Sequence, residues 1–249
     1  FILNHCRSRA IVIPREYGKF DYLSMVESLG SATPSLETIV VVGDVKARSG
    51  ILRFDDLIDG APEKDHPADT LRAHRPNPDD VSLIGFTSGT TAMPKAYLHT
   101  HNTEYANSFN CLLADSYRYL KKPTVNIALP GFGWMYGRWC CVLTGALDGA
   151  TNVVVDPFTP AGVIDAIARE KPTHIHGAPA IYNALMDGIM SLHESGALAL
   201  EAFHYAGSVM PVAMAQRLRN TAQRLTCYGL REISPGCGTS FMDSPEAQI

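Results

Sequence analysis

The sequence predicts an α/β fold, with alternating strands and helices forming parallel-type sheets that helices cover. Three observations carry that prediction. Short β-branched runs recur between segments of helical period along most of the chain. Several runs, Val153-Val154-Val155 among them, are continuously apolar, as in strands buried on both faces. The connections are short, which favours repeated strand–helix–strand units over separate all-β and all-α regions.

Residues 9–13 (Arg-Ala-Ile-Val-Ile) read as the first strand, and residues 20–29 as a helix presenting Tyr22, Met25, Val26 and Leu29 on one face. Thr38–Val42 is a second apolar strand, ending in Gly43-Asp44. Residues 61–80 hold four prolines (Pro62, Pro67, Pro76, Pro78) among charges and read as a loop or inter-lobe linker. Strands are expected at 81–86, 125–129, 152–155, 173–176 and 203–205. Helices are expected at 102–118, capped by Asn102 or Thr103, and at 135–147, 160–169, 180–190 and 211–223. Pro160 suits a first helical turn, where its missing N–H is no loss. In such folds ligands gather at the carboxyl ends of strands, so the strand-to-helix turns are where chemistry is expected.

The 249 residues are 46% hydrophobic and 18% charged, which supports a sizeable core and excludes a mainly disordered chain. Lys and Arg number 21 against 25 Asp and Glu, a net charge of −4. The basic residues do not cluster, so there is no electrostatic footprint for nucleic acid. The six cysteines, at 6, 111, 140, 141, 227 and 237, include no CxxC pair and read as reduced thiols of a cytoplasmic protein. Residues 125–155 are apolar, but Arg138 and several glycines interrupt them, so no membrane span is expected. The chain starts at Phe1 with no secretory signal, and the expectation is a piece of a longer protein.

One turn stands apart. Phe86-Thr87-Ser88-Gly89-Thr90-Thr91-Ala92-Met93-Pro94-Lys95 follows a strand and continues to His99-Thr100-His101. Hydroxyls and backbone N–H groups can wrap phosphate oxygens while a lysine supplies a mobile charge. It is not a Walker loop, because the second glycine and the Lys-Ser/Thr pair are absent. From the residues alone, a polar surface turn in which Ser and Thr satisfy their own backbone accounts for it equally well.

The segment resembles the phosphate-binding signature of the adenylate-forming (AMP-binding) superfamily: acyl- and aryl-CoA synthetases, luciferases and peptide-synthetase adenylation domains. That signature runs Tyr/Phe-Thr-Ser-Gly-Thr-Thr-Gly-x-Pro-Lys-Gly-x-x-His-Thr-His, and this chain departs from it only at Ala92 and Ala96. Tyr228-Gly229-Leu230-Arg231-Glu232 is similar to the family's Tyr-Gly-x-Thr-Glu, with Arg231 for threonine. Ala206-Gly207-Ser208-Val209-Met210-Pro211 resembles its Gly-Gly-Ala-Pro-Leu-Pro more loosely.

The resemblance implies the fold of the family's N-terminal domain and an acid–thiol ligase. A small carboxylic acid would react with ATP to give acyl-AMP and pyrophosphate, and CoA would then take the acyl group as a thioester. Thr87, Ser88, Gly89, Thr90, Thr91 and Lys95 would hold the phosphates. Tyr228 would stack on adenine, with Gly207, Ser208, Gly229, Leu230 and Arg231 in the same ATP/AMP site, and Glu232 would bind Mg2+. Lys95 and Glu232 would be the catalytic residues. Residues 1–60 would be an incomplete sheet/helix lobe, 61–80 a linker and 81–249 the nucleotide-binding lobe, without the family's C-terminal domain, so that this piece would not complete the reaction. An assembly of identical chains is compatible with the family.

The departures leave other readings open. If positions 92 and 96 need positive φ, alanine there costs about 1–2 kcal/mol each, and a stiffer loop with slower turnover is expected. Arg231 could pair with the AMP phosphate or fill its place; a nucleotide- or acyl-adenylate-binding paralogue without catalysis is the corresponding alternative. Gly133 and Trp134 would wall the acyl pocket, as in short- and medium-chain CoA synthetases, or Trp134 is a core aromatic at a helix entry. Gly131, Gly133 and Gly137, between a strand and a helix and followed by Asp156, mimic a Rossmann NAD(P) unit, although the third glycine is one place late. His99 with His101, and His174 with His176, would share faces on strands, but no Cys or carboxylate completes a zinc set.

Overall fold

The computed structural model describes residues 1–60, 68–87, 93–114, 124–129, 131–230 and 232–238. They divide into two units, Phe1–Pro76 and the chain from Asn77 onward.

The first unit opens with the short helix α1 (Ile2–His5) and strand β1 (Ala10–Pro14). The hairpin β2 (Glu16–Tyr17) and β3 (Phe20–Asp21) turns through Gly18 and Lys19, both at positive φ (58° and 72°), as a two-residue primed turn requires. Helix α2 (Tyr22–Leu29) follows, then β4 (Thr38–Val42), β5 (Ile51–Arg53), α3 (Phe54–Asp59) and α4 (Ala68–Ala73). The three longer strands form a parallel sheet in the order β1-β4-β5. Its core joins Ile13, Val41 and Ile51 to Leu23 and Val26 of α2. The inward face of α2 is therefore Leu23 and Val26, and Met25, expected inside, is exposed. The helix begins two residues later than expected because Asp21 caps it, its carboxylate accepting from Ser24 N and Ser24 Oγ, each at 2.8 Å. The stretch expected to be loop contains α4, where Ala68, Leu71, Arg72 and Ala73 are all good helix formers between prolines.

The second unit starts with β6 (Val81–Phe86) and β7 (Ala96–Thr100), which pair antiparallel as a two-stranded ribbon. Neither a parallel pairing nor a doubly buried strand holds here: Val81 and Ile84 are exposed. Helix α5 (His101–Ala114) leaves β7 directly. Its cap is Thr100 rather than Asn102 or Thr103: Thr103 N donates to Thr100 Oγ1 (3.2 Å) and Thr100 N to Thr103 Oγ1 (2.8 Å), a reciprocal capping box.

Then come β8 (Val125–Ala128), a helical segment, β9 (Thr151–Val153), α8 (Pro160–Glu170), β10 (His174–Gly177), α9 (Pro179–Glu194), β11 (Ala202–Tyr205), α10 (Val212–Leu218), β12 (Gln223–Leu230) and β13 (Ser234–Gly238). The segment after β8 is α6 (Met135–Gly137), a π-helical stretch Arg138–Leu143, and α7 (Thr144–Asp148). The Thr144 hydroxyl donates to the Trp139 carbonyl five residues back, at 2.5 Å, across the widened turn. The strands make a six-stranded sheet, β13-β12-β11-β10-β8-β9, parallel except for β12 with β13.

One face of this sheet is apolar. Ile127, Ile175, Phe203 and Tyr205 pack on Val163, Ala166 and Ile167 of α8, on Tyr182, Leu185 and Ile189 of α9, and on Met214 and Leu218 of α10. The opposite face is also buried but polar. Asn126 is in register with His174, and His176 with His204. The His176 and His204 rings stack at 4.3 Å and 14°. Asn152 ties this face to the helical segment, its Nδ2 donating to the Cys141 carbonyl at 3.3 Å. No helix among the described residues is long and apolar enough to cross a membrane.

Candidate functional site

Because β9, β8, β10, β11 and β12 run parallel, their carboxyl ends lie along one edge of the sheet. The turns there follow Ala128, Gly177 and Tyr205, and β12 continues past that edge. Tyr205 of β11 pairs with Thr226, so residues 227–230 project beyond it and pair with β13. Gly207 and Ser208 thus follow the end of β11, and Tyr228, Gly229 and Leu230 stand on the neighbouring overhang. Gly207 has φ +88°, a conformation natural for glycine, and Ser208 beside it is exposed. Tyr228 is 63% exposed, and Val209 90%. Glu232 lies in the turn joining β12 to β13, with its carboxylate exposed. Tyr228 and Gly229 are strand residues with a bulge between them.

Thr87 and Lys95 face each other across the open end of the β6–β7 ribbon. Thr87 N donates to the Lys95 carbonyl at 3.0 Å, and the Lys95 side chain is exposed. Ser88, Gly89, Thr90, Thr91 and Ala92 lie outside the described residues, as does Arg231. Ala96 opens β7, pairs with Phe86 and is not among the positive-φ residues. An extended backbone accepts alanine, so the strain expected at position 96 is absent.

The ribbon is anchored through α5. The buried His99 ring of β7 meets Trp139 edge-on at 5.1 Å. Buried Glu104 of α5 accepts Arg138 Nε (2.9 Å), Arg138 Nη2 (2.7 Å) and the Ser82 hydroxyl of β6 (3.1 Å). Burial raises the Glu104 pKa; the Arg138 hydrogen bonds and charge, with Ser82, outweigh it and hold the carboxyl below its ordinary range. Neither residue carried a sequence signal beyond opposite charge at long separation.

His99 and His101 do not share a face: His99 is buried in β7, whereas His101 is the exposed first residue of α5. His174 and His176 do share one, on β10. Among the described residues no group of three His, Cys, Asp or Glu side chains is placed to hold a metal.

At the end of β8, Gly133 and Trp134 are exposed, Trp134 by 59%, so Trp134 is not a core aromatic. Tyr136, two residues on, turns inward instead. Its ring lies 5.9 Å from His176, and its hydroxyl is buried without a hydrogen-bond partner among the described residues. Burial drives that phenol well above its ordinary pKa. Tyr136 was missed because one aromatic in a helical run has no pattern that tells inward from outward.

The glycine spacing that mimicked a dinucleotide fold has an internal cause. A Cβ on Gly137 would overlap the Gly131 carbonyl oxygen, so the helix can start this close to the turn only with glycine there. The model of the AMP-binding enzyme family matches residues 1–248. The chain belongs to that family.

It is 28% identical over 256 residues to the acyl-CoA ligase SID4 of Ajellomyces capsulatus, covering 97% of this chain and 41% of that protein. It is 29% identical over 234 residues to a 3-hydroxybenzoate–CoA/4-hydroxybenzoate–CoA ligase of Thauera aromatica, covering 88% and 39%. The chain thus spans about two fifths of the length of these relatives. The crystal structure of the anthranilate CoA ligase AuaEII in complex with anthranoyl-AMP superposes with a TM-score of 0.80 at 24% identity, over 98% of this chain and 45% of that one. The fold is that of the N-terminal domain of adenylate-forming enzymes.

Proposed function

We propose that the chain is the nucleotide-binding portion of an ATP-dependent carboxylate–CoA ligase, an acid–thiol ligase acting on a small carboxylic acid. The observation that carries this reading is the placement of Gly207-Ser208 beside the overhanging Tyr228 on adjacent strand ends. An exposed aromatic there offers a stacking face for adenine, next to a glycine turn that a nucleotide can approach closely. The relatives named as acyl- and aryl-CoA ligases support the activity.

The chemistry asks little of acid–base groups. A carboxylic acid with a pKa of about 4 is already anionic at neutral pH and attacks the ATP α-phosphate directly, releasing pyrophosphate. The CoA sulfur then takes the acyl group and AMP leaves. The chain's task is to orient the reactants and offset phosphate charge. Thr87 with Ser88, Gly89, Thr90 and Thr91 would wrap the phosphates, Lys95 would bring its exposed ammonium to them, and Arg231 would sit near the AMP phosphate. The Glu232 carboxylate is a hard oxygen donor that fits Mg2+. The ion, when bound, would supply further positive charge. Gly133 and Trp134 would border the acid, with cyclic or medium-chain acids the expected class.

Residues 1–60 and 81–249 are read as two lobes of one N-terminal domain joined by 61–80, working in the cytoplasm. These 249 residues bind nucleotide without completing thioester formation. Calorimetry with an acyl-sulfamoyl-adenosine analogue tests the binding, and ATP–pyrophosphate exchange over aliphatic, alicyclic and aromatic acids in the full-length protein tests the chemistry. The analogue should bind in competition with ATP. Failure of ATP and analogue to bind overturns the reading, and binding without exchange converts it to the non-catalytic paralogue.

A further inference from the structure

One face of α5 is tied to the helical segment after β8 through Glu104, Ser108 and Cys111, and the proposed reaction does not use the thiol among them. These residues recur at i, i+4 and i+7, so they lie along one stripe of the helix. Glu104 takes Arg138 Nη2 at 2.7 Å, and the Ser108 carbonyl takes the Thr144 hydroxyl at 3.2 Å. The Cys111 sulfur lies 3.8 Å from the sulfur of Cys140, in the π-helical stretch. Both are free thiols, Cys140 buried and Cys111 half-buried. A disulfide needs its sulfurs at about 2 Å, so this pair, already in contact, must approach by roughly 2 Å. Shared between the two side chains, that gap is closed by rotations about their Cα–Cβ bonds while the neighbouring hydrogen bonds hold the helices in place.

We propose that Cys111 and Cys140 are an oxidation site at which a peroxide closes a disulfide between α5 and the π-helical stretch. The Cys111 sulfur attacks one oxygen of hydrogen peroxide. The S–O bond forms, the O–O bond breaks, and the departing hydroxide takes the Cys111 thiol proton and leaves as water. Cys111 is then a sulfenic acid. The Cys140 sulfur attacks it, the S–S bond forms, the S–O bond breaks, and hydroxide leaves with the Cys140 proton as a second water. Two thiols give two electrons to one peroxide, and two waters are released.

The order of attack follows from access. Cys111 is the half-buried member and meets solvent peroxide first, whereas Cys140 is only 7% exposed and lies against the Cys111 sulfur. The bridge joins positions 29 apart in sequence, so it restrains the unfolded chain as well as the folded one. It adds a covalent tie to the seam that Glu104 and Arg138 hold by hydrogen bonds, and so to the anchoring of the β6–β7 ribbon. An external dithiol returns both cysteines to thiols by exchange, which makes the tie reversible.

The test is hydrogen peroxide treatment of the full-length protein, alkylation under denaturing conditions, and tandem mass spectrometry of a non-reduced digest. The expected product is a peptide pair bridged between Cys111 and Cys140, with fragment ions that separate Cys140 from Cys141. Dithiothreitol should convert it back to two alkylatable thiols. In Cys140→Ser, dimedone should tag Cys111 as its sulfenic acid, and Cys111→Ser should slow loss of the Cys140 thiol by at least about tenfold. Full alkylation of Cys111 and Cys140 after peroxide overturns the proposal. A bridge from either to Cys141 or Cys227, or unchanged loss of the Cys140 thiol in Cys111→Ser, overturns it too. The wild-type readout needs no variant to fold.

Discussion

Glu104 receives both Arg138 Nε and Arg138 Nη2, at 2.9 and 2.7 Å, and this two-pronged contact fastens α5 to the helical segment over the polar face of the sheet. The same carboxylate takes the Ser82 hydroxyl of β6. This buried group, with the His99 ring on Trp139, thus holds the ribbon whose tip carries Thr87 and Lys95, and among the described residues the ribbon pairs with no third strand.

Glu104→Gln should lower stability at pH 7 by about 2–3 kcal/mol, the range for charge-assisted hydrogen bonds broken in a partly buried pair. The sign with pH follows from the depressed Glu104 pKa. The carboxylate contributes fully above its unfolded value of 4.5, and that contribution is lost as pH falls through the folded value. Urea unfolding at a series of pH values should therefore show wild type and variant converging below pH 4.5. A gap that stays constant would show that the charge is not what matters.

Ala96→Gly should be destabilising, by about 0.5–1 kcal/mol, because position 96 is strand backbone in register with Phe86 and glycine there only adds freedom to the unfolded chain. Thermal unfolding measures it. A stabilising effect would mean that alanine is strained there.

What was legible in the sequence follows from how each element is specified. Thr38–Val42 and α8 were readable because continuous β-branched residues and a proline at the helix start act locally. Strand β7 was not, since Ala-Tyr-Leu-His-Thr gains its strand character only by pairing with β6. Strands β12 and β13 were hidden by glycines that sit at a bulge and an overhang. The π-helical stretch leaves the 135–148 periodicity helical, and its extra residue shows in the bonds from the Thr144 N–H and hydroxyl to the Trp139 carbonyl. At the site, the reading of residues 87–95 as a phosphate turn rests on family resemblance alone, whereas Tyr136 and Glu104 owe their places to packing between distant segments.

Tyr136→Phe offers a stability test of the opposite sign. The Tyr136 hydroxyl is buried without a partner among the described residues. Deleting it removes a desolvated polar group at little cost in shape, so the variant should be more stable by about 1 kcal/mol. Urea unfolding decides the matter: a loss of similar size would reveal a hydrogen bond to that oxygen.

Tyr228 separates binding from folding. Its side chain is 63% exposed on the overhang of β12, so truncation removes little buried surface. Tyr228→Ala should shift stability by no more than about 0.5 kcal/mol, as for surface positions generally. Stacking on a base is worth about 1–3 kcal/mol, so the same change should weaken ATP binding by roughly ten- to hundredfold. Tyr228→Phe keeps the ring and should keep most of the affinity. Calorimetric titration of ATP into the three proteins, alongside their unfolding curves, distinguishes the alternatives. If Tyr228→Ala binds ATP like wild type, the adenine is not on this ring; if it unfolds early, the ring serves the hairpin and not the nucleotide.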